Sequence, residues 1–131
     1  MTKDGILNAD LCQAIASCGH TDRFVIADCG LPIPEGVRLL DLSLVRGIPR
    51  FMEALKAVFG ELVVESYVLA DETESVSPAL HQEIQALLGD LPCSTVSHEE
   101  LKAMTRDAKV IIRTGETTPY ANIILNCGVN F

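Results

Sequence analysis

Short β-prone apolar runs alternate with helix-like stretches along the whole chain, and that alternation restricts the fold more than any other feature. The runs are Phe24 to Ala27, Val37 to Leu42, Leu62 to Ala70, Cys93 to Val96, Val110 to Arg113 and Asn122 to Cys127. Helix signals lie between them. Asn8 is placed to cap a helix running to about Ser17, with Leu7, Leu11, Ala14, Ile15 and Cys18 on its apolar side. Gly19 is placed to end that helix in the left-handed conformation. Pro49 suits the first turn of a helix reaching about Phe59. Ser77 followed by Pro78 opens a helix to about Leu88, and Ser97-His98-Glu99-Glu100 fits a capping box opening one to about Thr105. Strands that are apolar throughout belong to parallel sheets covered on both faces, so an α/β class with a mainly parallel sheet is expected.

At 131 residues the chain fits one domain, 1–131, with no linker or internal repeat. The formal charge of −8 disfavours a nucleic-acid or anionic-membrane partner, which would need clustered Lys and Arg. No apolar run approaches the roughly 20 residues of a membrane span, and Met-Thr-Lys-Asp-Gly does not open a signal peptide, so a cytoplasmic location is expected. The five cysteines form no Cys-x-x-Cys pair. Cys12, Cys29, Cys93 and Cys127 lie in or beside apolar segments, which predicts buried free thiols. Hydrophobic residues make up 48% against 21% charged, a high ratio for so small a domain, and this predicts apolar surface covered by further copies. The apolar end Val129-Asn130-Phe131 is expected to be tucked in.

Asp28 directly follows the Phe24–Ala27 run, in a loop stiffened by Pro32 and Pro34. In open α/β sheets ligands collect beyond the carboxyl ends of strands. His20 stands just before the same run. Phosphate-binding glycine loops, a serine nucleophile elbow and a His-Glu-x-x-His helix are absent, and His20, His81 and His98 lack metal-ligand spacing. The polar groups left at strand ends are His20, Asp28, His98, Lys102, Tyr120 and Asn122. Each has a plain role open to it. His20 can interact with a helix end and Asp28 can form a turn. His98 and Lys102 share a helix face that is solvated by default, while Tyr120 can anchor a loop and Asn122 start a strand.

Taken together, several segments occur in the order found in D-ribose pyranases. They are Gly5-Ile6-Leu7-Asn8, Gly19-His20-Thr21-Asp22, Asp28-Cys29-Gly30-Leu31-Pro32-Ile33-Pro34, Asp41-Leu42-Ser43-Leu44, Ser97-His98-Glu99-Glu100, and Arg113-Thr114-Gly115-Glu116 through Asn122. The chain resembles that family, which belongs with the fucose mutarotases, over essentially its whole length. The Gly-Leu-Pro run after Asp28 favours the pyranases. The resemblance implies a three-layer α/β/α sandwich with a Rossmann-like sheet, assembled as a homodecamer with sites between subunits. It implies His20 as general acid, and Asp28, His98, Lys102, Tyr120, Ala121 and Asn122 as the groups that bind D-ribose. It implies no metal and no cofactor.

The implied reaction interconverts the β-pyranose and β-furanose forms of D-ribose and so feeds ribose utilisation. A cyclic aldose is a hemiacetal. Opening it needs a proton on the ring oxygen and loss of one from the anomeric hydroxyl, which acid–base groups supply without a covalent intermediate. An imidazole, ordinarily titrating near 6.5, suits that role. Two alternatives stay open at this point: a fucose-type anomeric mutarotase, and a non-catalytic sugar-binding component of a ribose transport system.

Overall fold

The computed structural model describes residues Met1–Phe131. Six strands form one sheet: β1 Arg23–Ala27, β2 Arg38–Asp41, β3 Val64–Ala70, β4 Cys93–Val96, β5 Val110–Arg113 and β6 Ile123–Cys127. Five helices connect them: α1 Ala9–Ala16, α2 Phe51–Phe59, α3 Asp71–Val76, α4 Pro78–Leu88 and α5 His98–Met104, with a 3₁₀ turn at Thr105–Asp107. The strand order is β2-β5-β1-β6-β3-β4. β1 pairs in parallel with β5, β5 with β2, and β3 with β4, whereas β6 runs antiparallel between β1 and β3. Five strands therefore point one way. Their carboxyl ends share a single sheet edge with the amino end of β6.

Residues alternate between the two faces of β1, as strand geometry requires. Phe24 and Ile26 join a core with Leu11, Leu55 and Ile84, from α1, α2 and α4. Val25 and Ala27 face Leu101 of α5 and Leu31 of the loop after β1. The α/β/α sandwich is thus uneven, with three helices on one face and α5 with the proline loop on the other. After β1 the chain builds outward through β2, then crosses back to lay down β3 and β4 on the opposite side. That reversal of direction opens a crevice at the carboxyl edge.

Most boundaries match the expectation from sequence. Asn8 caps α1 by accepting the Leu11 N–H at 2.9 Å, and Ser97 caps α5 by accepting the Glu100 N–H at 3.1 Å. Several details differ. Gly19 is not left-handed; that step falls at Thr21 (φ 72°), while the Gly19 N–H donates to the Asp22 carboxylate at 2.8 Å. Pro49 lies outside α2, which starts at Phe51 behind Arg50, whose N–H donates to Glu53. The Ser77 side chain makes no cap and instead donates to the Pro119 carbonyl at 2.7 Å. Helix α3 had no sequence signal, because of its residues only Thr73 is buried. All five cysteines are free thiols, but Cys29 and Cys93 are exposed: one lies on the loop past β1, the other opens edge strand β4. The C-terminus is not tucked in, since Phe131 is fully exposed, as are Leu7, Leu44, Val45 and Ile48 in large part.

Candidate active site

The carboxyl edge of the sheet gathers loops from adjacent strands. β1 delivers Asp28, β6 begins just after Tyr120-Ala121-Asn122, β3 runs into α3, and β4 runs into His98 of α5. Asp28, Gly30, Leu31, Pro32, His98, Lys102, Pro119 and Tyr120 line one open cavity of about 390 Å³. Sequence neighbours alone would not assemble this set, because it draws on two separate loops and helix α5.

Asp28 is fixed on both sides. Its Oδ1 accepts the Gly30 N–H at 2.9 Å, closing a turn, and its Oδ2 accepts the Asn122 side-chain amide at 3.0 Å. The Asp28 N–H in turn donates to Asn122 Oδ1 at 2.9 Å, so the two residues grip each other reciprocally. A carboxylate offers about four lone-pair positions, and two are taken; the rest are free for hydroxyl donors. Asn122 is fully buried and acts behind Asp28 rather than in the cavity itself. Ala121 is also fully buried, with its methyl in the core on the α1/α2/α4 side.

Tyr120 adopts φ 61°, an unusual conformation for a bulky residue. Its carbonyl explains how the loop holds it there: Thr73 Oγ1 and the Asn122 N–H both donate to that oxygen at 2.9 Å. The Ser77 bond to Pro119 pins the preceding residue. The Tyr120 ring then meets the His98 ring edge-on, with centroids 5.0 Å apart at 79°. The His98 N–H, at the start of α5, donates to the Glu72 carboxylate at 2.9 Å. His98 Nδ1 is buried without a partner. Lys102, one turn further along α5, is held by Glu99 at 2.7 Å.

Behind the loop lies Glu116, almost wholly buried. Its Oε1 accepts the Phe51 N–H at 3.2 Å; its Oε2 accepts the Thr117 and Thr118 N–H groups, the Thr118 hydroxyl and, at 3.4 Å, the Arg50 guanidinium. Burial alone would push this carboxyl up. The Thr118 and Phe51 N–H groups, the Thr118 hydroxyl and Arg50 more than offset that, and the group is held below the ordinary carboxylate range. In the sequence Glu116 belongs to a motif without a role of its own, Ser77 reads only as a helix cap, and nothing marks Thr73 or Glu72. The partners of Thr73, Ser77 and Glu72 lie 26 to 47 residues away, and only tertiary structure reveals them.

His20 is not in this cavity. It precedes β1 and Asp28 follows it, and the strand between them spans about 13 Å at 3.3 Å per residue. His20 lines a different cavity of about 310 Å³ with Cys18, Glu61, Val63, Cys127 and Phe131 among others, and its Nε2 lies 3.1 Å from Glu65 Oε2. The two cavities therefore lie at opposite edges of the sheet.

Comparison with known proteins agrees with this architecture. The model of the RbsD / FucU transport protein family matches residues 1–130. The chain belongs to that family. Among its members, the D-ribose pyranase of Geobacillus thermodenitrificans is 56% identical over 131 residues, covering 100% of this chain and 99% of the relative. The structure of Bacillus subtilis RbsD complexed with D-ribose superposes with a TM-score of 0.97 at 45% identity, covering 100% of both chains. A fucose mutarotase from Streptococcus pneumoniae, solved with L-fucose, gives a TM-score of 0.76 at 26% identity over 95% of each chain. The family's α/β fold is the fold seen here, with β6 as its one reversed strand.

Proposed function

We propose that this protein is a D-ribose pyranase, which interconverts the β-pyranose and β-furanose forms of D-ribose. The observation that carries the reading is the cavity at the carboxyl edge, which a carboxylate, an imidazole, an ammonium and a phenol line together with no serine, threonine or cysteine among them. Such a set offers both donors and acceptors to the hydroxyls of a sugar. Full-length relatives named D-ribose pyranase, and the close superposition on a ribose complex, support the same substrate. The chain acts as a single domain over 1–131 and works in the cytoplasm.

In this proposal Asp28, backed by Asn122, accepts sugar hydroxyls, and His98, Lys102 and Tyr120 complete the grip. Ala121 contributes through its backbone. His20 supplies the proton. On opening, an imidazolium N–H protonates the ring oxygen, and the C1–O5 electron pair leaves with that oxygen. The anomeric hydroxyl gives its proton to a base and C1 becomes an aldehyde. On closure the 4-hydroxyl attacks C1, its proton returns to the imidazole, and the former carbonyl oxygen is reprotonated. Atoms and electrons balance with no redox change. General acid help of roughly 10²–10⁴-fold is the scale to expect.

Because His20 and Asp28 sit at opposite edges of one sheet, the working site joins His20 of one copy to the Asp28 cavity of another. A ring-built assembly, a decamer by family resemblance, satisfies this. It would also cover Phe131, Val129 and Val63 around His20. Saturation-transfer NMR on ribose tests the reading: wild type should exchange the ring forms well above the buffer rate, and His20→Ala should lose most of that gain. Equal rates for the two proteins would remove His20 from the chemistry. A fucose-type mutarotase is the second reading, favoured by the fucose mutarotase fold match; faster exchange of fucose anomers than of ribose ring forms would establish it. Saturable ribose binding with no acceleration would point instead to a transport component.

A further inference from the structure

His20 has one ion-pair partner, and the backbone is built to present it. On the β3–β6 ladder Val64 pairs with Cys127 and Ser66 with Asn126, so Glu65 is the extra residue of a β-bulge. A bulge bends its strand and re-aims a side chain that regular alternation would direct elsewhere. Gly128, just past the end of β6, leaves room for that side chain: a Cβ there would stand 3.2 Å from Glu65 Cβ and 3.5 Å from Glu65 Oε2. The other side of the contact is equally constrained. Thr21, left-handed at φ 72°, donates its N–H to the Cys127 carbonyl at 3.0 Å, and the Cys127 N–H donates to the Asp22 carbonyl at 2.8 Å. The turn holding His20 and the bulge holding Glu65 are thus both fastened to the same end of β6.

We infer that Glu65 is a positioning residue for His20: its carboxylate accepts the Nε2 proton, fixes the ring's orientation and tautomer, and leaves Nδ1 as the atom that exchanges a proton with the sugar. A carboxylate only accepts, so an Nε2 bonded to it at 3.1 Å carries its proton in both charge states of the ring. Neutral His20 then has its lone pair at Nδ1, and protonated His20 has its transferable N–H there. The imidazolium that donates to the ring oxygen reforms at Nδ1 when the 4-hydroxyl gives up its proton. Both side chains are about half exposed in the single chain, at 55% and 47%, which leaves the imidazole within reach of a sugar held by another copy. The inference rests on His20 being the general acid.

The test is a double-mutant cycle on the full-length assembly, read by ribose ring-form exchange over a range of ribose concentrations. Glu65→Gln keeps the shape and removes the charge. It should lower kcat about 10- to 100-fold, part of the range general acid catalysis supplies, with KM within about twofold. In a His20→Ala background the same change should have no further effect, because Glu65 acts only through His20. Glu65→Asp, one methylene shorter, should also lose kcat although it keeps the charge, and it replaces Glu65→Gln if that variant alters the assembly mass. Slow His20→Ala with fast Glu65→Gln and Glu65→Asp overturns the role of Glu65 alone. An additive effect of Glu65→Gln on His20→Ala overturns it too. Unchanged exchange in His20→Ala overturns the reading beneath it.

Discussion

Replacing Glu116 with glutamine should cost stability out of proportion to a one-atom change. Both carboxylate oxygens face donors only: Phe51 N–H on Oε1, and Thr117 N–H, Thr118 N–H, the Thr118 hydroxyl and Arg50 on Oε2. A glutamine has a single acceptor oxygen, so either rotamer of its amide turns an NH₂ toward N–H groups. A buried donor left unsatisfied costs about 1–3 kcal/mol, and the charge-assisted bonds lost with it bring the expected total to about 2–4 kcal/mol. Urea denaturation at fixed protomer concentration would measure it, because any self-association adds to apparent stability. A destabilisation below about 0.5 kcal/mol would contradict the assignment of these bonds, being the scale of an ordinary surface change.

The pH dependence fixes the sign of the effect. The folded carboxyl is held below its ordinary value, so it contributes stability that is complete above the unfolded value of about 4.3 and is lost as pH falls through the lower folded value. Glutamine does not titrate. The gap between wild type and Glu116→Gln should therefore stay level from about pH 6 to 8 and narrow in acid below about pH 4. A gap that widened in acid would show that burial, and not the hydrogen bonds, dominates at this carboxyl.

Two further outcomes follow from the same geometry. Asn122→Asp sets a second carboxylate where an amide now donates to Asp28 at 3.0 Å, and calorimetric ribose affinity at neutral pH should fall about tenfold or more; an unchanged Kd would show that Asn122 does not hold Asp28 for the sugar. Gly115→Ala puts a Cβ 2.5–2.7 Å from backbone atoms of Val45 and Ile48, where no flexible side chain can yield, so thermal melting should reveal a loss of about 1–3 kcal/mol, and a neutral result would mean that the Val45–Ile48 loop moves freely.

What could be seen in the sequence, and what could not, divides along the range of the interactions. Asn8 and Ser97 announce α1 and α5 because a cap is a contact across three residues. The apolar runs announce β1, β5 and β6 because burial on both faces leaves no other composition, whereas the edge strands β2 and β4 are largely exposed. Asp28 is legible as a candidate because it stands on a stiffened loop past a buried strand, although the same position also serves a turn, as its bond to the Gly30 N–H shows. Its partner Asn122 stands 94 residues away, and nothing near either residue names the other. Helix α3 hides because Asp71, Glu72 and Glu74 present no apolar stripe; what secures it is Thr73 reaching Tyr120. Gly19 misleads because its flexibility is not what the turn uses: the Asp22 carboxylate closes on its N–H, and the left-handed step passes to a β-branched residue fastened to β6.

His20 and Asp28 are the sharpest case, because sequence proximity suggests a pair and strand geometry forbids one. Eight residues apart along a helix would share a face; across an intervening strand they are driven to opposite edges. Each edge is then finished separately. Asp28 is locked by Asn122 and Gly30, and His20 is met by a bulged Glu65 beside exposed Val129 and Phe131. A chain that only bound sugar would need the first edge and could leave the second unbuilt. The structural expense at His20, a strained Thr21 and a bulge in β3, makes sense if that edge meets the Asp28 cavity of a neighbouring copy, and assembly is then a condition of the chemistry rather than a means of covering apolar surface.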